Sequence, residues 1–246
     1  MPPSWPFLLA SFAIALLAGA VASVTGFGIG SLLTPWLAIR AGTKLAVATV
    51  SVPHAFGTAF RLLRLERHVD RRVLRRFGLT SAAGGLTGAL FQSWAEGPIL
   101  RVVFGSLLVF AGIMGATGWA ERLRFGRRTA WLAGALSGFL GGLVGNQGGI
   151  RSAAMLGFEV PKEAFVATAM ATGLLVDAAR MPVYLATQGR AIAGLWPFLL
   201  VATIGVLAGT ILGNRILDRV PESLFRRVVG VLILSLGLVM LLGVGG

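Results

Sequence analysis

The stretch GFGIGSLLTPWLAIRAGTKLAVATVSVPHAFGTAFR, residues 26–61, recurs in weakened form as GNQGGIRSAAMLGFEVPKEAFVATAMATGLLVDAAR, residues 145–180. Both copies begin with glycines, continue through a short apolar run and then enter a longer one. The matches include a threonine, an arginine and position-specific glycines, which argues against chance similarity among Ala, Gly and Leu. We therefore interpret the chain as a duplicated unit whose glycine breaks occupy matching places. The matched pairs, at a shift of 119 positions, are Gly30 and Gly149, Ala48 and Ala167, Thr49 and Thr168, and Arg61 and Arg180.

The composition is that of a protein embedded in lipid. Of the 246 residues, 56% are hydrophobic and 13% are charged, whereas soluble domains carry roughly 25% charged residues. Apolar runs long enough to cross about 30 Å of hydrocarbon recur along the chain. Because backbone polar groups must be satisfied inside lipid and the runs lack strand-like alternation, they should be helices. The sequence therefore predicts an all-α integral membrane protein.

The formal net charge of +13 does not indicate nucleic acid in such a chain. The arginines cluster in short loops between apolar runs, as positive-inside topology requires. The sequence has no Cys, only two His and no HExxH motif, and GFGIG lacks the strand–turn–helix setting of a dinucleotide site. We expect no metal site, no cofactor, no nucleic-acid partner and no enzymatic activity.

Eight membrane helices are predicted in two groups of four, and each group contains one glycine-broken half-helix. The repeats span residues 1–120 and 129–246 and form a single membrane domain without a soluble domain. The half-helices, 29–40 and 149–158, are too short to span the membrane. The first helix resembles a secretory signal, but residues 1–6 contain no Lys or Arg, so we expect it to be retained. The predicted helices cover about 7–25, 44–63, 77–95, 99–119, 129–146, 162–185, 192–214 and 223–243.

Two topologies remain open. Eight full crossings place the basic loops at 61–76 and 122–128 on the side of the termini, but they leave the arginines of 215–227 on the other side. If the half-helices count as crossings, the two repeats are inverted and all three basic clusters share one side. Segment length favours the first topology, and charge favours the second.

The paired signatures resemble those of the TauE/SafE family, also called the sulfite exporter or toluene-sulfonate uptake permease family. The resemblance implies a multi-pass permease of the bacterial inner membrane that moves sulfite, sulfonates or related organosulfur anions. It covers nearly the whole chain in length, helix number and duplication. Asn146, Gln147 and Arg151 depart from the glycine-rich second signature of the family, and no proline follows until Pro161. The residues that carry the resemblance are Thr25-Gly26-Phe27-Gly28-Ile29-Gly30, Pro35, Ala46 to Thr49, Gly145 to Ile150, and Ala167-Thr168.

An anion inside lipid needs hydrogen-bond donors and positive potential. Glycine breaks supply both, through exposed backbone N–H groups and through half-helix N-termini that point inward. The alternative is that the glycines serve helix packing alone. The predicted substrate-binding residues are Gly26, Gly28, Gly30, Ser31, His54, Asn146, Gln147, Gly148, Gly149, Arg151 and Ser152.

Four titratable residues in or beside apolar runs carry two interpretations each. A charge at a helix centre costs about 2.5–3.5 kcal/mol on insertion scales, so Arg151 either binds substrate or snorkels to the interface. Asp177 and Arg180 form either an i,i+3 ion pair near the membrane edge or a proton or gating site. His54, roughly 15 Å along its helix, either couples protons to transport or packs as a neutral side chain.

The leading functional hypothesis is secondary transport of a small anion, sulfite or an organosulfur compound such as a sulfonate. The partners are then this anion and the lipid bilayer, and a homodimer is compatible with the sequence. The alternative is a membrane scaffold or assembly factor on a permease fold. An intramembrane enzyme finds no pair of intramembrane Asp residues, no Ser–His dyad with fitting spacing and no metal cluster.

Overall fold

The computed structural model describes residues 4–26, 28–95, 97–117, 129–145, 148, 151, 155, 158, 160–216 and 222–243. The regular structure in these ranges is helical. A 3₁₀ turn, Glu66–His68, and a helical stretch that ends in a π-helical turn, Leu74–Gly78, precede α4. The helices are α1 (Trp5–Thr25), α2 (Ile29–Ala41), α3 (Thr43–Leu62), α4 (Leu79–Trp94), α5 (Gly97–Thr117), α6 (Ala130–Val144), α7 (Lys162–Gly194), α8 (Trp196–Ile216) and α9 (Glu222–Leu241).

Four segments in the described ranges are long and apolar enough to cross a membrane: Trp5–Ser23, Gly97–Thr117, Glu163–Gly194 and Trp196–Gly213. Shorter apolar helices flank them. Large apolar side chains also point outward, and they include Trp94, Phe91 and Leu200. Such an exposed apolar surface is expected where lipid replaces water. The all-helical, membrane-embedded class predicted from the sequence is therefore confirmed.

The predicted half-helix over 29–40 is confirmed by α2, which begins at Ile29 and ends at Ala41. The predicted break between 185 and 192 is wrong, because α7 continues without interruption to Gly194. Thr187 and Gln188 of this stretch find hydrogen-bond partners within the helix or on a neighbouring helix. Thr187, for example, donates its hydroxyl to the carbonyl of Val183 at 2.8 Å. Polarity alone therefore does not mark a loop at the end of a membrane helix.

Glycines bring α1 against α8 and α4 against α6. Gly205 faces the backbone of Phe12, Gly209 faces Leu16 and Gly213 faces Ala20. The residue numbers rise together on both helices, so α1 and α8 run parallel. A side chain at these glycines would collide with the facing backbone, which is the close approach that small residues permit in membranes.

The glycines of α4 make the same kind of contact on α6. Gly84 faces Ala135 and Gly88 faces Phe139, so these two helices are also parallel. The first helix of each half, α1 or α6, therefore packs on a helix from the other half of the chain. The two halves interlock and do not form separate bundles.

Two other helix pairs run antiparallel. In the pair α5 and α9, Gly105 lies against Gly237 and Gly112 lies against Leu234. In the pair α3 and α7, the first turn of α3 lies beside the end of α7. There Gln92 donates to the carbonyl of Lys44 at 3.2 Å and accepts from Gln188 at 3.2 Å.

The opposite ends of α3 and α7 meet as well. Past the end of α3, the backbone N–H of Asp70 donates to the hydroxyl of Thr168, near the start of α7, at 2.9 Å. The two helices therefore cross in opposite directions, and their midpoints face each other.

Candidate functional site

Two helices end at glycines in the left-handed region. The C-terminal residue after α1 is Gly26, with φ 78°, and its N–H donates to the carbonyl of Ala22 at 3.0 Å. The corresponding residue after α6 is Gly145, with φ 76°, and its N–H donates to the carbonyl of Gly141 at 3.0 Å. Only glycine adopts this conformation without a steric penalty. The two caps are 119 residues apart, as the sequence match predicts.

The two glycine breaks meet inside the protein. Gly28, with φ 127°, precedes α2, and a methyl group at Gly30 would lie 2.6 Å from the carbonyl oxygen of Gly145. Ser31 is 4% exposed. The N-terminus of α2 is therefore buried against the C-terminus of α6.

Two arginines bind the ends of the broken helices in the same way. Nη1 of Arg61 donates to the carbonyl of Ala22, and Nη1 of Arg180 donates to the carbonyl of Gly141. The same two carbonyls also accept the hydrogen bonds from the N–H groups of Gly26 and Gly145. The C-terminal end of a helix carries partial negative charge, so a guanidinium stabilises it. The donors and the acceptors are both 119 residues apart.

Only one of these arginines has a carboxylate partner among the described residues. Oδ1 of Asp177 accepts from Nη2 of Arg180 at 2.8 Å and from Nε at 3.0 Å, while its Oδ2 lies 2.7 Å from Nδ1 of His54. The predicted i,i+3 ion pair is confirmed. It lies in the protein interior, with both side chains 2% exposed, and its depth in the membrane stays a prediction.

Arg61 is held by neutral groups instead. Its Nε donates to the carbonyl of Gly57 at 3.2 Å, and its Nη2 donates to the hydroxyl of Thr58 at 3.3 Å. Thr58 occupies the position that corresponds to Asp177. The positive charge of Arg61 therefore has no negative partner in the described part of the chain.

Arg151 is buried beside this cluster with unused donors. Its exposed fraction is 4%, and its Nε and Nη1 have no hydrogen-bond partner among the described residues. Gly173 provides the space, because a methyl group there would lie 2.7 Å from Nη1. Gly173, Asp177 and Arg180 share one face of α7. The guanidinium is thus enclosed by protein, and it interacts electrostatically with Asp177 and Arg180.

Two further predicted site residues are buried or partly buried. Gly148 is buried, and the imidazole of His54 is 14% exposed. The sequence analysis did not select Arg61 as a site residue, although its match with Arg180 was the available signal. The predicted site residues Asn146, Gln147, Gly149 and Ser152 lie outside the described residues.

A cavity of about 440 Å³ opens at the end of the bundle where α4 begins, away from the buried arginines. Its lining is mixed, with two arginines and an aspartate beside aromatic and aliphatic side chains. The cavity therefore offers cationic groups near one end of the bundle. The lining residues are Asp70, Arg72, Val73, Arg76, Thr80, Trp131, Phe158 and Val160.

A family model described as "Sulfite exporter TauE/SafE" matches residues 11–240, nearly the whole chain. Comparisons with curated proteins and with solved structures give no match. The matched family is one of transporters and not of enzymes, and its membership agrees with the apolar helices and with the meeting of the two glycine signatures. The chain therefore belongs to the sulfite exporter TauE/SafE family, whose members are multi-pass membrane permeases for small sulfur-containing anions.

Proposed function

We propose that this protein is a secondary transporter of sulfite or an organosulfonate in the bacterial inner membrane, and that the anion binds where the two glycine breaks meet. The observation that carries the proposal is Arg151, a buried guanidinium beside the Asp177–Arg180 pair, with nitrogens that have no hydrogen-bond partner among the described residues. The proposed binding residues include those predicted from the sequence, among them Gly30, Ser31 and His54.

The energetics favour a ligand at this place. A buried charge without a partner is strongly destabilising, and unused buried N–H donors add a further desolvation penalty. An oxyanion offsets both, because it supplies negative charge and several acceptor oxygens at once. Arginine suits this role, since its planar group donates several hydrogen bonds in fixed directions.

The chain geometry supports two inverted repeats as the transport framework. The proposed equivalents α3 and α7 run antiparallel, and so do α5 and α9. A two-fold axis that relates antiparallel helices lies in the membrane plane, which is the inverted arrangement found in many transporters with a site at mid-depth. The proposed repeats are residues 1–120 and 129–246, and the half-helix expected in the second repeat, 149–158, lies largely outside the described residues.

The inverted arrangement also accounts for the charge distribution. The basic clusters follow α3, α5 and α8 in the sequence, and these three helices end on the same side of the bundle in the inverted arrangement. Under the positive-inside rule this side is cytoplasmic, which places Trp5 and Leu241 on the opposite side. The topology with inverted halves is therefore favoured over eight full crossings with cytoplasmic termini.

The cavity near the start of α4 lies on the proposed cytoplasmic side and contains Arg72 and Arg76. Cationic groups at an entrance raise the local concentration of anions. The buried arginines lie deeper, with exposed fractions of 4% for Arg151 and 2% for Arg180. This arrangement fits an occluded central site that communicates with one side through a basic vestibule.

The proposal is tested by flux of labelled sulfite and of a labelled sulfonate into proteoliposomes. Arg151→Met should abolish flux, and Arg151→Lys should reduce it, because an ammonium ion lacks the planar donor geometry. The matched control is Arg190→Met, which removes an exposed arginine of α7. Wild-type flux in Arg151→Met would exclude this site. Absence of flux of any anion in the wild-type protein would favour a membrane scaffold instead.

A further inference from the structure

We infer that the central site selects doubly charged oxyanions over singly charged ones; this inference rests on the proposed transport function and specifies its substrate class. Three arginines are buried in the region of α3, α7 and the second glycine break: Arg61, Arg151 and Arg180. Asp177 is the only buried carboxylate among the described residues. With His54 neutral, the cluster carries two positive charges that these residues leave unbalanced.

The two unbalanced charges belong to Arg61 and Arg151. Asp177 directs Oδ1 to Arg180 through two hydrogen bonds, so its charge is committed to that arginine. Within the described part of the chain, Arg61 bonds only to carbonyl and hydroxyl oxygens. Arg61 and Arg151 lie close enough to interact electrostatically, and this interaction is repulsive. A negative ligand near both therefore removes two penalties at once.

Hydrogen-bond donors for such a ligand are buried around Gly173 of α7. Nε and Nη1 of Arg151 carry unused N–H groups, and the hydroxyl of Thr172 is buried without a described partner. Thr172 is adjacent to Gly173, on which the guanidinium of Arg151 lies. Since buried polar groups in proteins are almost always hydrogen-bonded, this combination indicates a place that a ligand completes.

Valence matters here because charge interactions are strong away from water. In bulk water the interaction energy between two unit charges a few ångströms apart is small, but in a protein interior it is many times larger. A singly charged sulfonate leaves one positive charge unbalanced in the cluster, whereas sulfite as a dianion, sulfate or thiosulfate leaves none. Methanesulfonate is a suitable comparison, because it replaces one charged oxygen of sulfate with a neutral methyl group of similar size.

The experiment measures binding of radiolabelled sulfite to purified protein, at one alkaline pH where sulfite is a dianion, with unlabelled sulfate, thiosulfate and methanesulfonate as competitors. We expect at least one of the dianions to bind at least about tenfold more tightly than methanesulfonate, which corresponds to about 1.4 kcal/mol. Proteoliposome flux of the same anions should follow the same order.

Two variants separate charge from position. Thr58→Asp places a carboxylate beside Arg61, at the position that corresponds to Asp177, and cancels one positive charge while Arg151 keeps its donors. The preference for the dianion over methanesulfonate should then fall to about unity. Gly173→Ala keeps every charge but displaces the guanidinium through its new methyl group, so dianion affinity should fall at least about threefold while the protein still folds. The control is Gly189→Ala on the same helix, where a methyl group meets open space and affinity should be unchanged.

The outcomes separate this inference from the transport function. If methanesulfonate competes as well as the dianions, or if the ratio is unchanged in Thr58→Asp, selection by valence is refuted while transport stands. If Gly173→Ala binds like Gly189→Ala, the guanidinium of Arg151 is not the binding group. If no anion binds or crosses the membrane, the transport function and this inference both fail.

Discussion

Removing the carboxylate of Asp177 should destabilise the protein more than any other neutralisation of a single acid in the described chain. This oxygen pair connects α3 to α7, because one oxygen lies 2.7 Å from the imidazole of His54 and the other accepts two hydrogen bonds from Arg180. Asp177→Asn preserves the shape of the side chain but leaves the guanidinium of Arg180 as an unpaired buried charge.

The expected loss is large because the pair is almost fully enclosed. Breaking a buried ion pair by removing one partner costs about 3–5 kcal/mol. For a chain of 246 residues, about 2–4 °C of melting temperature is lost per kcal/mol, so Asp177→Asn should melt about 6–20 °C below the wild type. The measurement is thermal unfolding of detergent-purified protein, followed by circular dichroism at 222 nm or by size-exclusion of heated samples.

The control and the rescue use the same two helices. Glu163→Gln neutralises an exposed acid in the first turn of α7 and should change stability by less than about 0.5 kcal/mol. Combining Asp177→Asn with Arg180→Gln removes both charges and should recover part of the loss, since replacing a buried ion pair by uncharged groups often changes stability little. Equal melting of Asp177→Asn and Glu163→Gln would refute the argument.

Gly30→Ala should reduce flux at least about tenfold and lower stability by about 1–3 kcal/mol, because its methyl group would lie 2.6 Å from a backbone oxygen of Gly145. The control is Gly97→Ala, whose methyl group meets open space. Equal flux in the two variants would mean that Gly30 serves helix packing alone. The inverted topology is tested with single cysteines in this cysteine-free chain. Arg64→Cys should react with an impermeant maleimide only from the cytoplasmic side and Arg190→Cys only from the other side, and labelling of both from one side contradicts the inversion. Size-exclusion chromatography with light scattering, corrected for bound detergent, tests whether the chain forms the homodimer that its sequence allows; a mass equal to one chain excludes it.

The features that could be predicted from the sequence are those that depend on residues close together along the chain. Lipid imposes helices on long apolar runs, and a glycine cluster followed by a run too short to span predicted α2 almost to the residue. The boundary between α7 and α8 was not predictable from polarity, because Thr187 bonds inside the helix and Gln188 bonds to Gln92 on α4. Local sequence therefore indicated where helices break at glycine and failed where a polar stretch remained helical.

The site was less predictable, because it depends on contacts between distant residues. The approach of His54 to Asp177 joins positions 123 residues apart, and nothing near either residue indicates the other. The burial of Arg151 depends on the missing side chain of Gly173, which in the sequence is one of 35 glycines. Single residues suggested chemistry, but their partners required the fold.

The positions that matter most are those at which the two halves differ. Under the shift of 119 positions, His54 corresponds to Gly173 and Thr58 corresponds to Asp177. At the first pair, the first half thus has the imidazole of His54, and the second half has Gly173, which leaves space for the guanidinium of Arg151. The second half supplies the carboxylate where the first half has a hydroxyl that bonds to Arg61.

Equivalent positions with the same residue in both halves therefore belong to the framework, and equivalent positions with different residues belong to the proposed site. The conserved spacing between each arginine and its helix-end carbonyl fixes both broken helices in the same geometry. Had Asp been retained at both equivalent positions, each of Arg61 and Arg180 would be neutralised and Arg151 alone would attract an anion. Because only Asp177 is present, the pseudo-symmetric framework surrounds an asymmetric, doubly positive centre. This asymmetry is the physical basis on which we expect one anion of matching charge to be bound at the junction of the two halves.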